Sequence, residues 1–289
     1  MLIANPGSRR GARLRDAALR AFRAAGVRCD TVLTERPGHG GEVARSRGRD
    51  YGAVFALGGD GTAIEVIDAL VHSDIPVGVL PGGTGNLLAR SLGVPLAMER
   101  AVPALLAGEE ALIDLGVLNG RQRFALTLGM GVDARMIEAT PAPLKRRYGV
   151  AAYMLAAARA TLSRNTFAVR AEVDGAVIER EATSVMIANF GAVLNDLLRL
   201  GPDIVADDGL LNLCIFSPAN TADAVTLAWR LFRKDFRPHP GMLYRSGSRF
   251  RVDCTPVQSV QADGEVRGTT PLDVHVEPRA ARLLRPRPA

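Results

Sequence analysis

The chain has 289 residues, of which 47% are hydrophobic and 23% charged, a composition typical of a folded protein with one large domain or two smaller ones. No run of about 18 uncharged apolar residues is present, which argues against a membrane-spanning helix, and the opening residues lack the pattern of a signal peptide. The net charge of +6 suits nucleic acid, anionic lipid or a phosphorylated substrate equally well, so charge alone does not choose among them.

The three cysteines are scattered along the chain without metal-ligand spacing, and we expect them to be reduced core residues (Cys29, Cys214 and Cys254). With no signal peptide recognised, this pattern predicts a cytoplasmic protein.

Apolar runs of strand length alternate with helical patterns over the first third of the chain. The predicted strands are Leu2–Ala4, Cys29–Leu33, Val54–Leu57 and Pro76–Leu80, and the predicted helices are Arg13–Ala25 and Ala63–Val71. Strands alternating with helices indicate βαβ units and a parallel sheet covered on both faces. The sequence therefore predicts an α/β domain over residues 1–115.

The pattern changes after residue 115, where most elements look like strands. These are Arg121–Leu128, Phe167–Val173, Val177–Arg180, Ser184–Asn189, Leu210–Phe216, Phe250–Cys254 and Val274–Glu277, with helices at Tyr148–Leu162 and Thr221–Lys234. Asp174-Gly175 is a strong hairpin signal between two of the strands. We predict a β-rich, mainly antiparallel domain over residues 116–289, with its extreme C-terminus packed back on the first domain.

The most informative segment is the loop that follows the strand ending at Leu57, with the sequence Gly58-Gly59-Asp60-Gly61-Thr62. Glycines let the backbone approach a phosphate closely, and the helix that opens at Ala63 adds its N-terminus to the attraction for an anion. An aspartate in such a loop repels phosphate unless a cation lies between them, so Asp60 predicts a nucleotide bound with Mg²⁺. The alternative is a tight turn in which Asp60 caps the helix.

A second glycine loop, Pro81-Gly82-Gly83-Thr84-Gly85-Asn86, follows the strand ending at Leu80. Both loops leave the carboxyl ends of predicted parallel strands, where open α/β sheets bind their ligands. The turn Asn5-Pro6-Gly7-Ser8 also follows a strand and is a candidate third wall. No P-loop motif is present. Gly129–Ala134 mimics a dinucleotide fingerprint but lacks a βαβ unit around it, so we assign it no cofactor.

These motifs resemble those of the diacylglycerol and sphingosine kinase catalytic family. They also occur in the same order as in that family, along almost the whole chain. The matching segments are Gly58–Thr62 with Glu65, Pro81–Asn86 with Ala89-Arg90, Asn5-Pro6, Thr34 with Gly38-His39, Gly201-Pro202-Asp203, Asp207–Leu211 and Asp263-Gly264-Glu265. The Gly-Gly-Asp-Gly loop alone is less specific, because NAD kinases share it and phosphofructokinases resemble it. The resemblance implies a first domain like that of NAD kinases and phosphofructokinases.

The resemblance also implies roles for individual residues. ATP would contact Asn5, Pro6, Gly7, Ser8, Thr34, Gly58, Gly59, Asp60, Gly61, Thr62 and Thr84. A metal would be held by the carboxylate of Asp208 and the carbonyls of Val205 and Leu210. Glu265 would accept the proton of the substrate hydroxyl, with Asp263 beside it. By composition alone, the 207–209 and 263–265 segments are also ordinary turns.

Three positions depart from the family pattern. Ile64 stands where the family has asparagine before the glutamate, Leu87 where it has aspartate after the second loop, and Asn212 where an acidic residue ends the later motif. The first two bear on nucleotide contacts or substrate preference. They also leave room for a non-catalytic lipid-binding relative.

Two basic clusters are candidates for contact with a membrane surface. One is Lys145-Arg146-Arg147-Tyr148, and the other is Trp229–Arg237, which mixes aromatics with cations and holds the only tryptophan. The alternative for the second is an ordinary helix with solvated arginines.

The sequence thus predicts an ATP- and Mg²⁺-dependent kinase of a lipid hydroxyl, with diacylglycerol, a sphingoid base or a glycolipid as possible acceptors. It would work in the cytoplasm, with peripheral contact at the inner face of the membrane and no nucleic-acid partner. An NAD kinase acting on a soluble substrate is the main alternative.

Overall fold

The computed structural model describes residues 1–7, 11–131, 166–193 and 198–287. Two compact units divide the chain: the first comprises Met1–Asp114 and Pro278–Ala289, and the second comprises Leu115–Glu277. The predicted helix Tyr148–Leu162 and the basic cluster at residues 145–148 lie outside the described residues.

The described strands, in chain order, are β1 (Leu2–Ala4), β2 (Thr31–Leu33), β3 (Val54–Gly58), β4 (Val77–Pro81), β5 (Glu109–Leu118), β6 (Gln122–Phe124), β7 (Thr127–Gly131), β8 (Phe167–Val173), β9 (Ala176–Ala182), β10 (Ser184–Ala188), β11 (Ala192–Val193), β12 (Leu198–Arg199), β13 (Leu211–Phe216), β14 (Met242–Gly247), β15 (Arg249–Thr255), β16 (Ser259–Ala262), β17 (Glu265–Thr269) and β18 (Leu272–Arg285). The described helices are α1 (Gly11–Ala24), α2 (His39–Arg47), α3 (Asp60–Ala69), α4 (Leu87–Ser91), α5 (Met98–Leu106) and α6 (Thr221–Phe232), with a short 3₁₀ turn at Gly48–Asp50.

The first unit is built on a parallel sheet in the order β2, β1, β3, β4. The C-terminal end of β18 adds one more parallel strand to it, where Leu283 pairs with Val77. Strands β1, β3 and β4 are buried almost throughout, as their apolar sequences require. Helix α1 buries Phe22, whose ring meets the edge of Phe55 at a centroid distance of 4.8 Å.

The second unit is a sandwich of antiparallel strands. One sheet has the order β14, β13, β10, β7, β16, β17, and the other contains β15 between β8 and the first part of β18, with β9 outside β8. Alternate residues of β8 and β15 are buried, and their apolar side chains form the core between the sheets with those of β10 and β13.

The predicted fold class is confirmed: a mostly parallel α/β unit is followed by an antiparallel β unit. Individual elements differ from the prediction. The predicted strand Arg121–Leu128 is two strands, β6 and β7, and the short predicted strand Val274–Glu277 is part of the much longer β18. Among the described residues, no helix is long and apolar enough to cross a bilayer.

Candidate active site

The two glycine loops lie directly against each other at the carboxyl ends of β3 and β4. These neighbouring parallel strands end in register, with Gly58 paired to Pro81. The Gly82 amide donates a hydrogen bond of 2.8 Å to the Gly58 carbonyl. A Cβ added to Gly83 would lie only 2.6 Å from the Gly59 Cα. The glycines therefore allow one loop backbone to approach the other, an explanation that the sequence did not suggest.

Asp60 joins the two loops through its side chain. It is the first residue of α3, and its Oδ1 accepts a hydrogen bond of 2.9 Å from the amide of Leu88, in the first turn of α4. Its Oδ2 points toward Gly85, at 3.3 Å from the position that a Cβ there would take. Asp60 therefore caps α4 rather than its own helix, and Oδ2 remains directed at the second glycine loop.

Asn86 fixes the shape of the second loop. Its backbone is left-handed, with φ of 50°, and its side chain both accepts from the Gly83 amide at 2.8 Å and donates to the Gly83 carbonyl at 2.9 Å. The Arg90 Nε donates to the Gly85 carbonyl at 3.3 Å. This side-chain bonding orders the loop around Thr84, which is exposed.

The turn after β1 is tied to the first glycine loop. The backbone N–H of Asn5 donates to the Leu57 carbonyl at 2.9 Å, and the side-chain Nδ2 of Asn5 donates to Thr62 Oγ1 at 3.2 Å. The Gly7 amide in turn donates to Asn5 Oδ1 at 2.8 Å. Thus the structure brings Asn5 beside the first glycine loop, and Pro6 and Gly7 belong to the same turn as Asn5. Ser8 lies outside the described residues.

Thr34 follows β2 and is buried, and its amide donates to the Ala4 carbonyl at 2.9 Å. Nearby, the Glu65 side chain reaches from α3 to the Gly38 amide at 2.8 Å, at the start of α2. Glu65 therefore holds the loop before α2 against α3. The sequence marked Glu65 as part of a motif but gave it no role.

The acidic turn lies in the second unit, between β16 and β17. Asp263 and Gly264 both have positive φ, 50° and 86°, which is the backbone of a two-residue hairpin turn. The Asp263 Oδ2 accepts from the Ala125 amide at 2.7 Å, while its Oδ1 accepts from the amides of Leu126 and Thr127 at 2.8 and 3.0 Å. Asp263 thus holds the segment before β7, and its carboxylate oxygens are engaged by backbone amides.

Glu265 begins β17 and is exposed. Its Oε2 lies 2.9 Å from the Arg267 Nη2, with 62% of the Glu265 side chain and 36% of the Arg267 side chain accessible. The contact itself places the two side chains together, because Arg267 lies at a bulge where the register between β16 and β17 shifts. Sequence reasoning missed Arg267, because local patterns do not predict such a bulge.

The Asp208 loop is an exposed turn that precedes β13. The Asp208 Oδ1 accepts from the Leu210 amide at 3.0 Å, Gly209 has φ of 77°, and Val205 is 46% exposed. Within the described part of the chain, no three His, Cys, Asp or Glu side chains form a cluster suited to a metal ion. Any cation held here would depend on Asp208, backbone carbonyls and water.

An Mg²⁺ ion carried by a nucleotide suits the first unit better than a metal held by protein alone. Mg²⁺ keeps most of its water and binds through one or two carboxylates together with substrate phosphates. Asp60 offers one such carboxylate beside two glycine loops, and its Oδ2 is the oxygen not used by Leu88.

Both parts of the chain match domains of known proteins. Residues 1–118 match the diacylglycerol kinase catalytic domain, and residues 127–285 match the YegS C-terminal NAD kinase beta sandwich-like domain. The chain is 29% identical over 257 residues to a diacylglycerol kinase of Bacillus subtilis, covering 88% of this chain and 84% of that protein. It is 28% identical over 246 residues to an uncharacterized Synechocystis protein, covering 84% of this chain and 57% of that protein.

A crystal structure of a diacylglycerol kinase from Bacillus anthracis has the same fold, with a TM-score of 0.78 at 20% identity over 98% of this chain and 95% of that chain. The matching catalytic domain and the related diacylglycerol kinases identify the chain as a lipid kinase. The chain belongs to the diacylglycerol kinase family, with a diacylglycerol kinase catalytic domain followed by a YegS-type C-terminal domain.

Proposed function

We propose that this protein transfers the γ-phosphoryl group of ATP to a hydroxyl of diacylglycerol or a closely related lipid. The observation that carries the proposal is the pair of glycine loops joined by Asp60 at the ends of β3 and β4. Membership in the diacylglycerol kinase family supports the choice of a lipid acceptor.

In the proposed complex, the backbone amides of Gly58–Thr62 and the N-terminus of α3 lie against the nucleotide phosphates. Asn5, Pro6, Gly7, Ser8, Thr34 and Thr84 contribute the remaining contacts. Asp60 Oδ2 would hold the Mg²⁺ that the nucleotide carries, and that ion would offset phosphate charge. Because Asp60 also holds α4, this carboxylate both orders the second loop and faces the nucleotide.

Glu265 accepts the proton of the lipid hydroxyl as the phosphoryl group arrives. Its exposure leaves the carboxylate accessible to a substrate, and the contact with Arg267 orients it. Asp263 acts as a positioning residue in this scheme, because its three hydrogen bonds fix the turn from which Glu265 projects.

A second, structural Mg²⁺ is proposed at the Asp208 loop, with the carbonyls of Val205 and Leu210 as further ligands. This site predicts an Mg²⁺-dependent rise in melting temperature, measured without nucleotide, that disappears in Asp208→Ala. A rise of equal size in the variant would move the metal elsewhere.

Acting on a water-insoluble substrate, the enzyme is proposed to work at a membrane surface as a peripheral protein of the cytoplasm. Nothing in the site calls for a nucleic-acid partner.

Transfer of label from γ-labelled ATP tests the proposal directly. The protein is incubated with Mg²⁺ and, in separate reactions, diacylglycerol, a sphingoid base, a glycolipid and NAD. We expect labelled lipid, with diacylglycerol the best acceptor, and no labelled dinucleotide. Label on NAD alone would establish the soluble-substrate alternative, and no transfer to any acceptor would favour a non-catalytic lipid-binding protein.

A further inference from the structure

An aromatic and cationic surface stands at the C-terminal end of α6. It consists of Trp229, Phe232, Arg233, Lys234 and Arg237, and is called the Trp229 surface below. Trp229, the only tryptophan in the chain, is 46% exposed. Its ring centroid lies 5.4 Å from that of Phe232, and the two ring planes are inclined by 32°. An exposed tryptophan stacked on a half-buried phenylalanine is unusual on a surface that meets only water.

The two sides of α6 differ sharply in character. Ala224 and Leu227 are buried, whereas Ala222, Thr226 and Trp229 are exposed. The Thr226 hydroxyl donates to the Ala222 carbonyl at 2.9 Å, so its polar group is already satisfied within the helix. None of the exposed residues within this fully described helix is acidic. The solvent side is therefore weakly polar up to Trp229.

Cations follow immediately after the aromatic pair. Arg233 and Lys234 are exposed, and neither forms an ion pair with the described part of the chain. The Arg237 side chain is 83% exposed even though its Nη2 lies 2.8 Å from Asp235. Between residues 229 and 237, four cations (Arg230, Arg233, Lys234 and Arg237) face one carboxylate, which leaves a local charge of +3.

The Trp229 surface is held in place by internal contacts. Arg230 Nη2 donates to the Arg237 carbonyl and to Asp235, which folds residues 235–237 back on the helix. The hydrogen bond from Arg237 keeps the pKa of Asp235 below its usual range, so this link persists in mildly acidic solution. Phe236 packs edge-on against Tyr244 of β14, with ring centroids 6.0 Å apart. The cations are thus displayed on an ordered segment.

We propose that the Trp229 surface docks the protein on an anionic lipid bilayer, with Trp229 and Phe232 at the headgroup boundary and Arg233, Lys234 and Arg237 above anionic headgroups. Indole rings favour this boundary, and cations beside it gain from the negative surface potential. We commit to a bilayer as the occupant because the proposed acceptor is a lipid, and base stacking on Trp229 by single-stranded nucleic acid is the outcome that the test must exclude. This inference rests on the proposed function for its purpose, since it brings the enzyme to its lipid.

The single tryptophan makes the docking directly measurable. Intrinsic fluorescence comes from Trp229, so phosphatidylglycerol-containing vesicles should shift its emission to shorter wavelength, and brominated lipid should quench it. Neutral phosphatidylcholine vesicles should do so weakly, and added salt should reverse the shift. Sedimentation with the vesicles measures binding independently of fluorescence.

Charge variants identify the surface. Arg233→Gln with Lys234→Gln removes two cations whose side chains have no ion-pair partner in the described structure and should weaken binding about 25-fold, at roughly fivefold per charge. Adding Arg237→Gln should bring the loss to about 125-fold. The matched control neutralises three exposed arginines of the first unit, Arg45, Arg49 and Arg100, and should lose much less.

Several outcomes would overturn the inference: no sedimentation with anionic vesicles, sedimentation without a change in Trp229 emission, equal loss in the control variant, or an equal emission shift with single-stranded DNA. Phosphorylation of a short-chain, monomeric diacylglycerol separates this from the proposed function. The double variant should retain that activity. If the wild type binds vesicles but phosphorylates no lipid, the proposed function fails while the docking surface stands.

Discussion

Two Asp-Gly turns in the second unit have nearly the same backbone but different surroundings. Asp174 and Gly175 have φ of 47° and 87°, and Asp263 and Gly264 have 50° and 86°. The Asp174 carboxylate is exposed and accepts from the amides of Ser248 and Arg249 and from the Ser248 hydroxyl, at 3.0, 2.9 and 2.9 Å, where the chain enters β15. The Asp263 carboxylate binds three consecutive amides of another segment. The local sequence specifies the turn, whereas the tertiary contacts decide what the turn does.

The two turns also differ in the side chain of the residue that follows them. After Gly175 comes Ala176, which carries no chemistry, while after Gly264 comes Glu265, which contacts Arg267. We therefore treat the first turn as structural, and the second as a structural turn that also presents the carboxylate we propose as the general base.

Replacing Glu265 by glutamine should have the largest effect on activity. The amide keeps the shape of the side chain but cannot accept the hydroxyl proton, so we expect kcat on the lipid to fall at least about 100-fold with little change in ATP affinity. Glu179→Gln is the matched control, because Glu179 lies on the strand after the other turn and pairs with Arg170 at 3.1 Å. If the Glu265→Gln enzyme keeps most of its kcat, the Asp263-Gly264 turn is only structural, like the Asp174-Gly175 turn.

Asp263→Asn should have the next largest effect, chiefly on stability. Hydrogen bonds to an ionised acceptor contribute about 1.5–3 kcal/mol each, and asparagine can satisfy fewer of the three amides. We expect the free energy of unfolding in urea to fall by about 2 kcal/mol, with a loss of kcat because the Glu265 turn is less well held. Unchanged stability would mean that the three amides find other partners.

The smallest effect is expected at Asp174, and it should depend on pH. Hydrogen bonds from the Ser248 amide and hydroxyl and from the Arg249 amide hold the pKa of Asp174 below its usual value. A carboxyl with a lowered folded pKa contributes stability above its unfolded pKa of about 3.9 and loses it as the pH falls through the folded value. The stability difference between wild type and Asp174→Asn should therefore be present at neutral pH and shrink below about pH 4. A constant difference would assign the effect to the neutral hydrogen bonds.

The sequence was most informative where structure is local. Strands Leu2–Ala4 and Phe167–Val173 have the predicted bounds, because buried parallel strands and alternating antiparallel strands leave distinct apolar patterns. The glycine loops were also recognisable, because each follows a strand of the parallel sheet. The helices α2, α4 and α5 were missed, and the glycine-rich start of α2 explains its weak signal.

The side-chain partners of the candidate site could not be predicted from the sequence. Asp60 meets an amide 28 residues away, and Asp263 meets amides 136 to 138 residues away. Such contacts depend on how the strands are ordered in the sheet, which local patterns do not encode. The sequence predicts that Asp60 faces a nucleotide-bound metal, but it does not show that Asp60 also caps α4.

The central claim, that the paired glycine loops form the nucleotide site, is tested most directly by ATP binding to Gly83→Ala, measured by calorimetry with Mg²⁺. The new Cβ would lie 2.6 Å from the Gly59 Cα, so the two loop backbones must move apart. Gly52→Ala is the control, because a Cβ there meets nothing within 4 Å. We predict that Gly83→Ala raises the ATP dissociation constant at least about tenfold, about 1.4 kcal/mol, while Gly52→Ala leaves it unchanged. A folded Gly83→Ala protein that binds ATP as tightly as the wild type would contradict the claim.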